Sequence, residues 1–391
     1  MKRAVLILSL IAVSSAFDAD KFLSDNCAVK YNLFNYGSKI KEITCQNFQL
    51  TEQEAKHFER EHFSFGDSIK TIVFKDCELA ALNDNVFSKF PGAKKITIEN
   101  CKINLGWSKE EEKQNATHPA IEKVTITDST IKNSVGSNAF AHLFALKELI
   151  IRNSDFEHKI IDGKLLEGSK ALKILKITGC GIEDIDKNAF VNLSELEVLK
   201  LHTNKLKALH PTLLRNNRKL EIVDFSGNEI KEIPLNASFL TNYVFFPDNI
   251  QKLNLSHNLI NHIENKNFKN MRKMYYLDLS HNNIDGLSDG CFDELFDDSG
   301  RIKAFLFENT LDLSYNSIKY IGRNTLFSRK PKYLTRLDLS HNKIEEVGAL
   351  DNIYKLKFLD FSYNNIMKID MSSKEKLKDG AILTGNTFLI E

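Results

Sequence analysis

The chain has 391 residues, 42% of them hydrophobic and 27% charged, with 53 Lys and Arg against 52 Asp and Glu. That apolar share excludes a disordered chain, and the near-neutral balance excludes a partner held by bulk charge, nucleic acid above all. Lys2 and Arg3, the apolar run Ala4 to Val13 and the small residues Ser14, Ser15 and Ala16 read as a signal peptide over residues 1–16. The run is too short to span a bilayer, and nothing downstream reaches the roughly 18 apolar residues of a spanning helix. The mature chain is therefore expected to be secreted, with no membrane span.

Residues 17–66 read as an N-terminal cap with a first, weak turn at Ile43-Thr44-Cys45. In an oxidising compartment a Cys27–Cys45 disulfide would close the apolar end of the molecule, and a loop of that size is worth roughly 3 kcal/mol. His57 and His62 resemble a zinc pair, but five residues at about 100° each put them about 140° apart on a helix, so no metal site is expected.

From residue 67 to 391 the chain rewrites one phrase, as in Leu253-Asn-Leu255-Ser-His-Asn258, Leu277-Asp-Leu279-Ser-His-Asn282 and Leu337-Asp-Leu339-Ser-His-Asn342. Each copy reads LxxLxLxxNxL, the leucine-rich repeat. The period-2 LxL is a short strand with one buried face, and the slot of the final Asn caps backbone groups inside the coil. That slot is filled by Cys77, Cys101, Ser129, Ser154, Cys180, Asn204, Asn228, Asn258, Asn282, Asn316, Asn342, Asn364 and Asn386. The expected fold is α/β, a leucine-rich repeat horseshoe with a parallel concave sheet and about thirteen repeats beyond the weak first turn. A Phe late in many turns (Phe87, Phe140, Phe190, Phe268, Phe292, Phe327) suits a stacked aromatic spine on the convex side.

Cys77 and Cys101 share the ladder slot of adjacent turns, about 5 Å apart at strand spacing, so a bridge and two buried ladder thiols are both open. Cys180 reads as a buried ladder residue. Cys291 sits in an acidic stretch, Ser288 to Asp298, that looks exposed; an intermolecular disulfide and an ordinary buried thiol are both open there. Sequons at Asn115, Asn192, Asn236 and Asn254 fit secretion, and a glycan on Asn254 would stand on the concave face. Repeat spacing stretches at Gly106 to Asn115, which holds the only tryptophan, Trp107, and again at Asn236 to Pro247 and Asp289 to Phe305. Such insertions map to loops.

The outward strand slot carries Thr97, Thr125, Lys176 and Lys200 in the earlier turns, and Asp224, Asn254, Asp278, Asp312, Asp338 and Asp360 in the later ones. Just before the ladder slot stand His257, His281, Tyr315, His341 and Tyr363. A solvent-facing acidic stripe beside stacked rings is the expected ligand-binding surface, suited to a protein or glycan partner. No nucleophile elbow, phosphate loop or CxxC is present, so no catalytic residues, no enzyme activity and no cofactor are expected.

The repeats, over about residues 40 to 388, resemble those of Toll-like receptor ectodomains and, more closely in size and plan, the secreted leucine-rich immune proteins of insects. The resemblance implies a secreted, non-enzymatic recognition protein of innate immunity. An adhesion or guidance ectodomain and a protease inhibitor are the alternatives on the same scaffold. The last strand, Ala381-Ile382-Leu383, is expected to leave an uncovered edge, a second route to homo- or hetero-oligomers besides Cys291.

Overall fold

The computed structural model describes residues 27–31, 40–47, 49–50, 69–79, 90–104, 120–132, 140, 143–235, 245–296, 308–353, 356–378 and 380–386. The expected signal peptide, His57, His62, Phe87, Trp107 and the sequons at Asn115 and Asn236 lie outside them. The chain divides into two compact units, Met1–Cys180 and Gly181–Glu391.

In the first unit Cys27–Tyr31 runs antiparallel to Ile40–Gln46, with Cys27 opposite Cys45 and the two joined by a disulfide. Thr71–Lys75, Lys95–Glu99, Lys123–Thr127, Glu148–Arg152 and Ile174–Thr178 then add in parallel, one strand per turn. Alternation explains the pleat: Ile96, Ile98, Val124 and Ile126 are buried, while Thr97 and Thr125 point to the open face. A second ladder of short strands, from Gln49–Leu50 to Asp155–Phe156, lines the far side of the same turns.

The second unit repeats the plan with shorter strands. Val198–Lys200, Ile222–Asp224, Lys252–Asn254, Tyr276–Asp278, Thr310–Asp312, Arg336–Asp338, Phe358–Asp360 and Ala381–Ile382 are parallel neighbours. Their register stacks Leu253, Leu277, Leu311 and Leu337 under the sheet. An α-helix, Met371–Lys378, precedes the last strand. Among the described residues no helix is long and apolar enough to cross a membrane.

The ladder slot works differently in the two units. Each Asn reaches both ways: Asn282 Oδ1 accepts the Ile260 N–H at 3.0 Å, and its Nδ2 donates to Leu255 O and Leu279 O, each at 3.0 Å. In the first unit the side chain supplies a single atom. Ser129 Oγ accepts the Cys101 N–H at 3.0 Å and donates to Thr127 O at 2.8 Å.

Cys77 and Cys101 are likewise ladder thiols and not a disulfide: Cys101 Sγ accepts the Cys77 N–H at 3.3 Å and donates to Glu99 O at 3.2 Å. The Cys101 thiol is held well above its usual pKa, first by its hydrogen bond with Cys77 and then by burial. Cys180 is a buried ladder residue too.

Cys291 is 2% exposed, with its thiol donating to Thr325 O at 3.5 Å. Its acidic neighbours pointed outward, yet Phe292, Leu295 and Phe296 in the same turn are buried and carry Cys291 inside with them. Burial holds the thiol well above its usual pKa and away from solvent, the buried thiol of the two readings. Part of the expected aromatic spine forms in the second unit, Phe268 stacking on Phe292 at 5.7 Å and Phe292 meeting Phe327 at 6.1 Å. Phe246, at the end of an inserted loop, extends it by packing on Phe268 at 6.2 Å.

Candidate functional site

The residue before each ladder slot adopts the left-handed backbone in every described turn. Asn47, Asp76, Asn100, Asp128, Asn153 and Gly179 hold it in the first unit, and Thr203, Gly227, His257, His281, Tyr315, His341, Tyr363 and Gly385 in the second. Asn, Asp, His and Gly tolerate this region best, which accounts for most of the set. The geometry throws each side chain out of the coil at the same angle, so successive residues stack.

In the second unit this produces five parallel rings. His257 and His281 lie 4.1 Å apart, His281 and Tyr315 4.2 Å, Tyr315 and His341 4.1 Å, and His341 and Tyr363 4.4 Å, all within 14° of parallel. Face-to-face packing keeps the imidazole nitrogens from converging, so the stack is not a metal site. It presents ring edges to solvent, with Tyr315 and Tyr363 about half exposed. Burial lowers the His281 pKa, His257 and His341 lower it further, and Asp278 opposes them.

The carboxylate row runs beside the rings, Asp278, Asp312, Asp338 and Asp360 in register on neighbouring strands. It does not face solvent as the alternation suggested: Asp278 and Asp338 are each 9% exposed. The reason is a turn. Asp278 Oδ1 accepts both the N–H of Ser280 at 3.0 Å and its hydroxyl at 2.7 Å, and Asp224, Asp312 and Asp338 do the same with Ser226, Ser314 and Ser340. Asn254 keeps the backbone bond, to Ser256 N–H at 2.9 Å, and Asp360 keeps it to Ser362 N–H at 2.7 Å. These are Asx-type turns that bend the chain out of each strand, so the carboxylates serve as caps as well as charges.

The second carboxylate oxygen meets other partners. Tyr276 donates its hydroxyl to Asp278 Oδ2 at 3.0 Å, and Arg336 Nη2 reaches Asp338 Oδ2 at 3.3 Å while its guanidinium lies 3.5 Å over the Phe358 ring. Burial, then the charge of Asp278, holds the Tyr276 hydroxyl above its usual pKa. Asp312 has its pKa raised by burial, with Asp278 and Asp338 adding to it and its bonds to Ser314 opposing.

The first unit offers a different open face. Lys123 pairs with Glu148 and Lys75 with Glu99, each at 2.7 Å, so these two basic residues are matched by acids. The pre-ladder slot carries amides and carboxylates in place of rings, Asn100 Nδ2 donating to Asp76 Oδ1 at 2.6 Å. Cys27–Cys45 lies at the end of that unit, and Asn192 is part-exposed on a turn away from the sheet.

Ser288, His262 and Glu264 meet on the far side of the second unit, a cluster no motif announced. His262 Nε2 lies 3.3 Å from Glu264 Oε1 and 3.4 Å from Ser288 Oγ, which donates to Glu264 Oε2 at 3.1 Å. A nucleophilic triad puts serine and acid on opposite ring nitrogens; here both use the same one.

The Leucine rich repeat family profile matches residues 170–230 and 248–296, and a second Leucine Rich repeat profile matches residues 330–350. Fibromodulin of Rattus norvegicus is 22% identical over 303 residues, covering 77% of this chain and 65% of the relative. The chain spans less than two thirds of the length of the curated relatives it matches. Among solved structures, Toll in the Toll–Spatzle complex of Drosophila superposes with a TM-score of 0.61 at 16% identity, over 89% of this chain and 46% of that one. The LRIM1/APL1C complex gives 0.53 at 16% identity, over 90% and 61%. At such identities the superpositions establish architecture alone. Repeat phrase, ladder, parallel sheet and profile agree, and the chain folds as a leucine-rich repeat solenoid.

Proposed function

We propose that this is a secreted, non-enzymatic recognition protein of innate immunity that holds a protein or microbial surface ligand on the open face of its second unit. The observation that carries the reading is the stack from His257 to Tyr363. Five ring edges are held at one height on a rigid sheet, beside carboxylates already fixed by turns. Such a surface loses little conformational freedom when it binds. Toll and the LRIM1/APL1C pair, whose structures are described as complexes, support a protein ligand. The sequon at Asn254 stands in the same row, and a glycan there would confine the footprint to one side of it.

The test is binding of the purified protein to immobilised lipopolysaccharide, peptidoglycan and β-glucan, and to proteins of the extracellular fluid it is secreted into, with a His281→Ala/Tyr315→Ala variant in parallel. At least one surface should retain the wild type and lose the variant. Equal retention of both, or retention of neither on every surface, refutes the open-face reading.

A further inference from the structure

The ring stack stops at His257, and the way it stops is informative. Side chains in this row lean toward the preceding turn: a Cβ on Gly385 would come within 2.8 Å of the Tyr363 ring, and one on Gly179 within 2.7 Å of Asn153 Oδ1. By the same lean, the outer face of His257 looks over the turn of Gly227, which has no side chain to cover it. Gly227 also differs from the other two glycines in having room. A Cβ there would meet nothing nearer than the Thr203 backbone nitrogen, at 3.4 Å, with Thr203 Oγ1 at 3.6 Å. One member of a ladder spaced at 4.1 to 4.4 Å is thus missing, between the His257 ring and Thr203.

The charges around the gap narrow the occupant. Asp224 belongs to the Gly227 turn as Asp278 belongs to the His281 turn, and Asp278 acts on the His281 ring. Ser226 occupies Asp224 Oδ1. In the homologous position Asp278 Oδ2 accepts a phenol hydroxyl, that of Tyr276, at 3.0 Å. Lys200 is in register with Asp224 on the adjoining strand, so a cationic residue already neighbours it. A flat group with a hydrogen-bond donor and no net charge matches this setting better than a cation. We propose that the gap at Gly227 is a docking slot for one aromatic side chain, a tyrosine or tryptophan, of a protein partner. The ring continues the stack on His257 and turns its O–H or N–H toward Asp224.

This deepens the open-face reading, and its test is separate from the ligand panel. The secreted protein is titrated with N-acetyltyrosinamide, N-acetyltryptophanamide and N-acetylargininamide while the histidine ring resonances are followed by NMR, His257 being assigned with His257→Gln. Both aromatic probes should shift the His257 signals upfield and saturably, with His341 unaffected. Gly227→His, which supplies the chain's own ring, should abolish the shift without lowering the melting temperature. Gly227→Asn, the residue found at the same place in Asn153, serves if the histidine variant misfolds. Asp224→Asn should weaken the probes roughly 2- to 12-fold, the scale of one directed contact. The slot is refuted by the absence of a saturable His257 shift, by a shift that survives filling of Gly227, or by a stronger response to the arginine probe. If the probes fail while the His281→Ala/Tyr315→Ala variant still loses a ligand on the panel, the slot falls and the open-face reading stands. If the probes bind while that variant keeps every ligand, the slot stands and the ring stack is not the ligand site.

Discussion

Replacing Asn258 with leucine tests the ladder at a single rung. Asn258 is 4% exposed; its Oδ1 accepts the Ile230 N–H at 3.0 Å, and its Nδ2 donates to Phe225 O at 3.0 Å, Leu255 O at 3.1 Å and Ser256 O at 3.2 Å. Those three carbonyls are shared. Phe225 O keeps Asn228 Nδ2 at 2.8 Å, Leu255 O keeps Asn282 Nδ2 at 3.0 Å, and Ser256 O keeps the Gly227 N–H at 2.9 Å. Leucine therefore orphans one buried donor, Ile230 N–H, at a cost of about 1 to 3 kcal/mol. Aspartate keeps the acceptor for Ile230 but turns an unpaired buried oxygen toward three carbonyls, and should cost about 3 to 5 kcal/mol. Urea unfolding of the disulfide-intact protein, followed by far-ultraviolet circular dichroism, measures both variants. A leucine variant with the wild-type midpoint, or an aspartate variant no less stable than the leucine one, would show that the rung carries no such load.

Native protein should leave Cys77, Cys101, Cys180 and Cys291 unreacted toward a disulfide reagent and release four thiols after unfolding; a native thiol count above zero, or a Cys291-dependent dimer on a non-reducing gel, contradicts their burial. Replacing Cys27 and Cys45 with serine should cost roughly 3 kcal/mol, read as a lower urea midpoint, because 18 residues of chain are no longer closed into a loop. Asp312→Asn should raise the melting temperature at pH 7, since Asn254 shows that an amide can cap the same turn. Asp312 has a raised folded pKa, so its ionisation costs stability as pH climbs from the ordinary 3.8 through the folded value, and the gain should vanish in acid; a lower melting temperature at pH 7 would sink the argument. Hydrogen bonds from Lys94 and Lys147 hold Glu122 down at about 2. Its contribution is present above the ordinary 4.5 and lost as pH falls toward 2, so its carboxyl carbon should titrate well below that of free glutamate in NMR, and an ordinary midpoint would dissolve the trio.

The strands and the ladder were legible because both are written in the identity of buried residues: Leu and Ile two apart, then Asn. The aromatic stack was legible as a list, from His257 to Tyr363, but its cause was hidden. Left-handed backbone leaves only a preference in sequence, and the recurrence of Asn, Asp and Gly before the slot, at Asn100, Asp128 and Gly179, was the trace of it. The aspartates misled for a related reason. Alternation places Asp278 and Asp338 on the open face correctly, yet it cannot show that a serine two residues on will fold back onto each carboxylate. Cys291 misled through its neighbours. Composition averages a stretch, whereas one turn holds Asp289 exposed and Cys291 and Phe292 buried within four residues.

The left-handed position before each rung separates two jobs that most surfaces confuse. Its backbone is set by the turn, while its side chain leaves the coil and touches mainly its counterparts above and below. Asn, Asp, Thr, Gly, His and Tyr all occupy it in this one chain with φ between 48° and 78°. The row therefore behaves as a keyboard on a fixed frame: what the protein displays can change key by key, without renegotiating the core that holds the keys in line.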